Sequence, residues 1–167
     1  MENKEKEFLE RIEAHKAIIY KIAKMYMDNI SDQEDLFQEI IYQVWKSYAS
    51  FNGQSLFSSW MYRVALNTAI VFLKKDKKKI RTSDEMPEHL AVEEDFSREK
   101  ELQLEHFYKA LQQLEKIEKA LVFYYLEDYS HKEIGENLGI SEVNARVKLN
   151  RAKVKIKELI KKQGYEF

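Results

Sequence analysis

The sequence has no cysteine, one proline and only four glycines among its 167 residues. The absence of cysteine excludes disulfides, thiolate metal sites and cysteine nucleophiles. So few glycines and prolines disfavour a many-stranded β fold, which needs a turn-forming residue at nearly every hairpin. The longest uninterrupted apolar run, Ala120–Leu126, is far shorter than the ~20 residues that cross a bilayer, and the first ten residues contain no apolar signal-peptide core. We therefore expect an all-α protein of the cytoplasm.

The sequence also lacks an excess of charge of one sign, because its basic and acidic residues nearly cancel to a net charge of −1. A net charge near zero by itself argues against a nucleic-acid partner. The balance conceals a pattern, because residues 1–81 carry +3, residues 82–105 carry −7 and residues 106–167 carry +3. An asymmetry of this kind indicates a boundary between modules. We predict two small helical domains, 1–81 and 104–167, joined by a flexible acidic linker at 82–103 that contains the single proline.

Apolar residues recur at intervals of three and four through most of the chain, which predicts amphipathic α-helices. The first domain is predicted to be a bundle of three or four helices. Ser31 and Asp32 are candidates to cap its second helix, and its third helix is predicted from about Leu56 to Leu73. The segment 51–55 between these two helices is predicted to be a loop, in which Gly53 permits a positive φ.

The strongest local pattern lies at residues 129–141 and is typical of a helix-turn-helix. Ser130 is predicted to cap a short helix, with Glu133 completing a capping box, and Gly139 to end it in a left-handed conformation. Ser141 is then predicted to cap a long helix from Glu142 to about Lys162. This arrangement matches a motif whose second helix enters a DNA major groove. The alternative is a helical hairpin with a solvated basic face.

Catalytic patterns are absent from the sequence. It has no glycine-rich phosphate loop, no nucleophile elbow and no Glu-x-x-His pair, and its four histidines are scattered. We therefore expect a protein that is not an enzyme, with no cofactor, no metal and no small-molecule substrate.

Two stretches resemble a known family. The string EIGENLGISEVNARVKLNRA at 133–152 resembles region 4 of bacterial sigma factors of the sigma-70 family, whose pattern is E-I-A-x-x-L-G-I-S-x-G-T-V-K-S-R-L-x-R-A. The strings DQEDLFQEI at 32–40 and LFSSWMYRVALNTAIVFLKK at 56–75 resemble region 2. The matches occur in family order, and the large middle regions of housekeeping sigma factors have no counterpart. The chain is thus similar to the extracytoplasmic-function (ECF) group.

The resemblance implies a factor that binds core RNA polymerase, through the beta-prime clamp helices and the beta flap, and directs promoter-specific initiation. It also implies an anti-sigma factor as a further partner. Contact with the clamp helices is implied for Asp32, Asp35, Leu36, Gln38 and Glu39. Recognition of the −10 promoter element is implied for Phe51, Asn52, Gly53, Ser55, Trp60, Arg63, Asn67, Lys74 and Lys75, with the basic run to Arg81 meeting the promoter backbone. Recognition of the −35 element is implied for Ser141, Asn144, Arg146, Val147, Lys148, Arg151 and Lys155.

Several positions depart from the family pattern or have simpler interpretations. Val143, Asn144 and Val147 replace the usual Gly, Thr and Ser, and Lys148 stands where Arg is common, so the −35 sequence is left open. Trp60 is as consistent with bundle core as with a DNA contact. Two other functions stay open: a helix-turn-helix regulator acting without polymerase, and a helical adaptor or anti-sigma-type protein with no DNA role.

Overall fold

The computed structural model describes residues 2–76 and 98–165. All regular elements in these two ranges are helical, which confirms the all-α prediction. By its internal contacts the chain divides into two compact units, Met1–Val92 and Glu93–Phe167. Within the described ranges, no helix is both long and apolar enough to cross a membrane.

Over residues 2–76, the first unit is built from three α-helices and one 3₁₀ turn. Helix α1 spans Glu2–Tyr26, α2 spans Ile30–Ser47, the 3₁₀ turn spans Tyr48–Ser50 and α3 spans Phe57–Asp76. Each α-helix contacts the other two, so the apolar stripes meet in a small three-helix core. Its fully buried side chains include those of Ile19, Ile22, Leu36, Ile40, Val44, Met61, Ala65 and Ala69.

The start of α2 differs from the prediction. The helix is capped by Asn29 rather than by Ser31 or Asp32, and the Asn29 side chain accepts a hydrogen bond from the Asp32 backbone N–H at 2.8 Å. Asn29 Nδ2 also donates to Asp32 Oδ2 at 2.6 Å. Asp32 therefore lies in the first turn, where its charge is favourable near the helix N-terminus.

Over residues 98–165, the second unit contains four helices. Helix α4 spans Arg98–Gln112, α5 spans Lys116–Leu126, α6 spans His131–Leu138 and α7 spans Glu142–Lys162. The long α7 contacts the other three, and the core is formed by Leu111, Ala120, Leu121, Tyr124, Ile134, Ala145, Leu149 and Ala152. Because α4 begins at Arg98, the last six residues of the predicted linker 82–103 are helical. The rest of that acidic segment, 82–97, lies outside the described residues.

The predicted helix-turn-helix is present, with each of its caps. Ser130 accepts from the Glu133 N–H while Glu133 accepts from the Ser130 N–H at 2.8 Å, a reciprocal capping box. Gly139 ends α6 at φ +70°, and Ser141 accepts from the Asn144 N–H at 3.1 Å to begin α7. Gly135 allows α6 to approach the turn, since a Cβ there would lie 2.7 Å from the Ile140 carbonyl oxygen. Local chemistry therefore specifies the whole motif.

Candidate nucleic-acid interface

A cluster of aromatic rings anchors the loop between α2 and α3. The Phe51 ring centroid lies 5.3 Å from that of Trp60 and 5.7 Å from that of Phe57, and the Arg11 guanidinium carbon lies 5.4 Å from the Phe51 centroid. Tyr48, just before the loop, lies 6.4 Å from Phe51 in a stacked arrangement. Ring contacts of this kind add to the burial of apolar area. The base of the loop is therefore fixed against the bundle.

The rest of the loop is exposed to solvent. Gly53 adopts φ +75°, which favours glycine, and Asn52 Oδ1 accepts from the Gln54 N–H at 3.1 Å in a tight local turn. Asn52, Gly53 and Ser55 are all exposed. The structure thus presents three of the predicted −10 residues on a preformed turn, with Phe51 as their anchor.

Trp60, Arg63 and Asn67 follow one another at helical spacing along α3. Arg63 and Asn67 are exposed, whereas Trp60 is half-buried in the aromatic cluster. Trp60 therefore packs against the loop through the aromatic cluster and still retains some accessible surface. Lys74 and Lys75 lie in the last turn of α3, and the remainder of the basic run, 77–81, is outside the described residues.

A groove of about 440 Å³ runs between α2 and α3. It brings Glu39, from the set predicted to bind polymerase, to the same surface as Asn67, from the set predicted to bind the −10 element. The Glu39 carboxylate accepts from Gln43 Nε2 at 2.8 Å. The remaining lining residues mix polar and apolar character: Gln43, Ser47, Val64, Thr68, Val71 and Phe72.

The residues predicted to dock on polymerase do not all reach the surface. Asp35 and Gln38 are exposed, and Asp32 and Glu39 are partly exposed. Leu36 is fully buried in the bundle core, so its side chain offers no surface to a partner in this structure. Its role is to hold α2 in place. Tyr42 on α2 is a further exposed aromatic residue that was not predicted, although its spacing of four from Gln38 places both on one side of the helix.

Helix α7 presents most of the predicted −35 residues to solvent. Asn144, Lys148 and Arg151 are exposed and lie within about 60° of one another around the helix. Arg146 is also exposed, but its position is roughly 160° around the helix from Asn144. The structure therefore places Arg146 apart from the other three, on a different side of α7.

Lys155 is engaged within the second unit. Its Nζ donates to Glu118 Oε2 of α5 at 3.1 Å, and the residue is half-buried. Nearby, the Lys153 ammonium lies 3.5 Å from the centroid of the Tyr125 ring, a cation–π contact. Both lysines thus join α7 to α5, and the charge of Lys155 is already partly compensated by a carboxylate.

The capping box of α6 lowers the pKa of one carboxyl group, that of Glu133. The pKa of the Glu133 carboxyl is lowered by the hydrogen bond that it accepts from the Ser130 backbone N–H. A carboxylate at this end of a helix also interacts favourably with the helix dipole.

Among residues 2–76 and 98–165, no three His, Asp or Glu side chains are grouped closely enough to hold a metal ion.

Comparison with known proteins gives the same two-part division. Residues 11–79 match the family model for sigma-70 region 2, and residues 104–156 match that for sigma-70, region 4. The chain is 30% identical over 140 residues to the RNA polymerase sigma factor SigV of Bacillus subtilis, covering 83% of this chain and 81% of SigV. It is 25% identical over 174 residues to the ECF RNA polymerase sigma factor SigW of the same organism, covering 93% and 88%.

Two solved structures share the fold at 18% identity. One is the sigma factor RpoE in complex with the anti-sigma factor NepR from Bartonella quintana, with a TM-score of 0.68 over 93% of this chain and 98% of that one. The other is CnrH in complex with the cytosolic domain of CnrY, with a TM-score of 0.64 over 94% and 89%. These two structures agree with the fold, and the family models and the relatives in Bacillus subtilis lead to one conclusion: the chain belongs to the sigma-70 family of RNA polymerase sigma factors, in its ECF group.

Proposed function

We propose that this chain binds core RNA polymerase and, as an ECF sigma factor, directs transcription initiation at promoters with −10 and −35 elements. The observation that carries the proposal is the presence, in one chain, of a region 2 bundle followed by a region 4 helix-turn-helix. In this role the chain works in the cytoplasm and has no catalytic activity of its own.

The first unit contacts polymerase through α2 in this proposal. Asp32, Asp35, Gln38 and Glu39 present carboxylate and amide groups along the helix and would meet the beta-prime clamp helices. Exposed ion pairs are individually weak, but complementary charge across an interface raises the association rate and fixes orientation. The region 4 unit would contact the beta flap.

The −10 element is assigned to the loop and the exposed side of α3. Extruding a base from the duplex costs a few kcal/mol, which contacts in a protein pocket must offset. A turn already fixed by Phe51 and Gly53 loses little conformational entropy when it receives such a base. Asn67 supplies both a donor and an acceptor on the neighbouring helix, and Arg63 a cation for the backbone.

The −35 element is assigned to α7. Its first turn offers backbone amides at the Ser141 cap, and the exposed Asn144 carries an amide of the kind that bonds an adenine edge in the major groove. Lys148 and Arg151 are placed on the same side and would reach phosphates or base edges. Lys148 lacks the planar fork of arginine, so bidentate reading of guanine falls to Arg151.

Neither alternative function is favoured by the family assignment. A regulator that acts alone requires no region 2, and an adaptor without a DNA role requires no region 4 helix-turn-helix. The solved complexes of RpoE with NepR and of CnrH with the cytosolic domain of CnrY support the further proposal that an anti-sigma factor binds this chain.

Fluorescence anisotropy of a labelled promoter duplex tests the proposal. The duplex is titrated with the chain alone, with core polymerase alone and with both together. We expect tight, sequence-specific binding only when both are present, because the basic surface of the free chain is modest and its contacts are screened by salt. In the complex with polymerase, the two DNA-contacting units belong to one chain, so binding of one unit raises the effective concentration of the other at its promoter element. Tight specific binding by the chain alone would favour the stand-alone regulator.

A further inference from the structure

Three valines are exposed on α7, on the side opposite the buried core positions. Val143, Val147 and Val154 retain 61%, 40% and 56% of their accessible surface. The buried residues Ala145 and Leu149 lie on the other side of the helix, so the packing of the unit does not use these valines. β-branched residues are also weaker helix formers than alanine or lysine. Neither packing nor helix formation accounts for them.

A single exposed apolar side chain is ordinary on a protein surface, but Val143 and Val147 are set apart by their position. They are four residues apart in the first two turns of α7, on the same side of the helix. Those turns are where a recognition helix contacts base edges. Lys148 and Arg151 flank Val147 and are exposed, which gives the surface around it a charge complementary to DNA.

The major groove offers an apolar side chain one partner. On the groove edges of the base pairs, the 5-methyl group of thymine is the projecting apolar group, and the nitrogen and oxygen groups are hydrogen-bond donors and acceptors. Valine has no donor or acceptor and leaves a polar base edge unsatisfied when it displaces water from it. The side chain therefore favours a methyl group and disfavours guanine and cytosine.

We propose that Val147, with Val143 beside it, reads the 5-methyl group of a thymine in the −35 element and so determines part of the promoter specificity. The inference rests on the proposed function, since it requires that α7 lie in the major groove. It assigns recognition of a particular base to particular residues. Because Val143 and Val147 depart from the family pattern, this base preference would be specific to this chain. Asn144 and Arg151 continue to read polar edges and phosphates around the methyl contact.

The test uses the full chain with core polymerase. Holoenzyme first selects binding sites from duplexes randomised over the −35 element. We expect thymine to be enriched at one position or more with the wild-type chain and to lose its enrichment with Val147→Ser. The selected thymine is then replaced by deoxyuridine, which keeps every hydrogen-bonding group and removes only the methyl group.

Replacing the thymine by deoxyuridine is expected to weaken DNA binding by the wild-type holoenzyme about two- to fourfold, because one buried methyl group is lost. The same replacement is expected to leave the DNA affinity of the Val147→Ser holoenzyme unchanged. Val154→Ala is the matched control, because this valine is exposed on the same side two turns further along; the thymine-to-uracil ratio should stay at the wild-type value. Equal affinity of wild type for thymine and uracil, with a −35 preference intact, would overturn this inference alone. Selection without any −35 preference would overturn the proposed function as well.

Discussion

Gly135 lies where α6 comes close to the turn that precedes α7. The position is helical and buried, so an alanine there would ordinarily stabilise the helix. Here an added Cβ would lie 2.7 Å from the Ile140 carbonyl oxygen and 3.3 Å from the Glu142 amide nitrogen. Both are backbone atoms, which cannot move aside as a flexible side chain does.

We expect Gly135→Ala to destabilise the second unit by about 1–3 kcal/mol, the range of overpacked cores. Urea denaturation followed by circular dichroism measures the change. Glu136→Ala, at the exposed neighbouring position, is the control and should change stability by less than about 0.5 kcal/mol. Equal or greater stability of Gly135→Ala would show that the turn is not as close as described.

Glu133 should make part of the stability depend on pH. Because the pKa of its carboxyl is lowered in the folded state, its contribution is fully present above the unfolded-state pKa and is lost as the pH falls through the folded-state pKa. Glu133→Gln should therefore be less stable than wild type at pH 7, with a difference that shrinks between about pH 5 and pH 3. Urea midpoints at these pH values measure it. A difference that stays constant with pH would contradict the assignment.

At the scale of single helices, α7 combines two faces with separate tasks. The buried face joins it to the other helices of the unit, and the Lys155–Glu118 pair and the Lys153–Tyr125 contact add two side-chain connections to α5. The exposed face near the N-terminus carries Asn144 and Arg151. Charge changes on the two sides of this helix should therefore have different consequences.

Arg151→Glu should reduce −35-dependent transcription by tenfold or more, because it replaces a phosphate-seeking cation by an anion. The control is Lys157→Glu, an equal charge change at an exposed position about 120° around the helix. It should reduce transcription far less. In vitro transcription with promoters that keep or lack the −35 element measures both. Equal effects would show that only the overall charge matters.

The proposed contact of α3 with the −10 element is tested by a substitution at Asn67. Asn67→Ala should slow promoter opening, since it removes the amide that the proposal places against an extruded base or the nearby backbone. Permanganate reactivity of thymines in the −10 region measures opening. Glu10→Ala, exposed on α1, serves as the control. If opening is unchanged in the Asn67 variant, the assignment of this residue is wrong.

Elements governed by local chemistry were predictable from the sequence. The caps at Ser130, Gly139 and Ser141 depend on residues at most a few positions apart, and all three formed as predicted. The cap of α2 was missed because Asn29 and Ser31 are both good capping residues, and the choice between them depends on where α1 ends. The early start of α4 at Arg98 was missed because its first turns are charged and show no apolar period.

Contacts between distant parts of the sequence were not predictable. The Lys155–Glu118 pair joins residues 37 positions apart, and a helical pattern places Lys155 on a face without saying what lies opposite. For Leu36, the family motif indicated a docking residue while the apolar spacing indicated core. The fold decides in favour of core, because the residue has no exposed surface.

For the whole molecule, the central claim is that two units on one chain contact two promoter elements when joined to polymerase. The near-zero net charge is compatible with that role, since residues 1–81 and 106–167 each carry +3 and the acidic excess of −7 is confined to residues 82–105. Screening of the basic residues by that acidic segment is a hypothesis that concerns residues outside the described ranges.

Run-off transcription with purified core polymerase tests the central claim most directly. The templates are a genomic fragment selected by the holoenzyme and its variants with the −10 element, the −35 element or both replaced. We predict a defined product that requires this chain, falls when either element is replaced and disappears when both are. The absence of any chain-dependent product, or a product indifferent to both elements, would contradict the account.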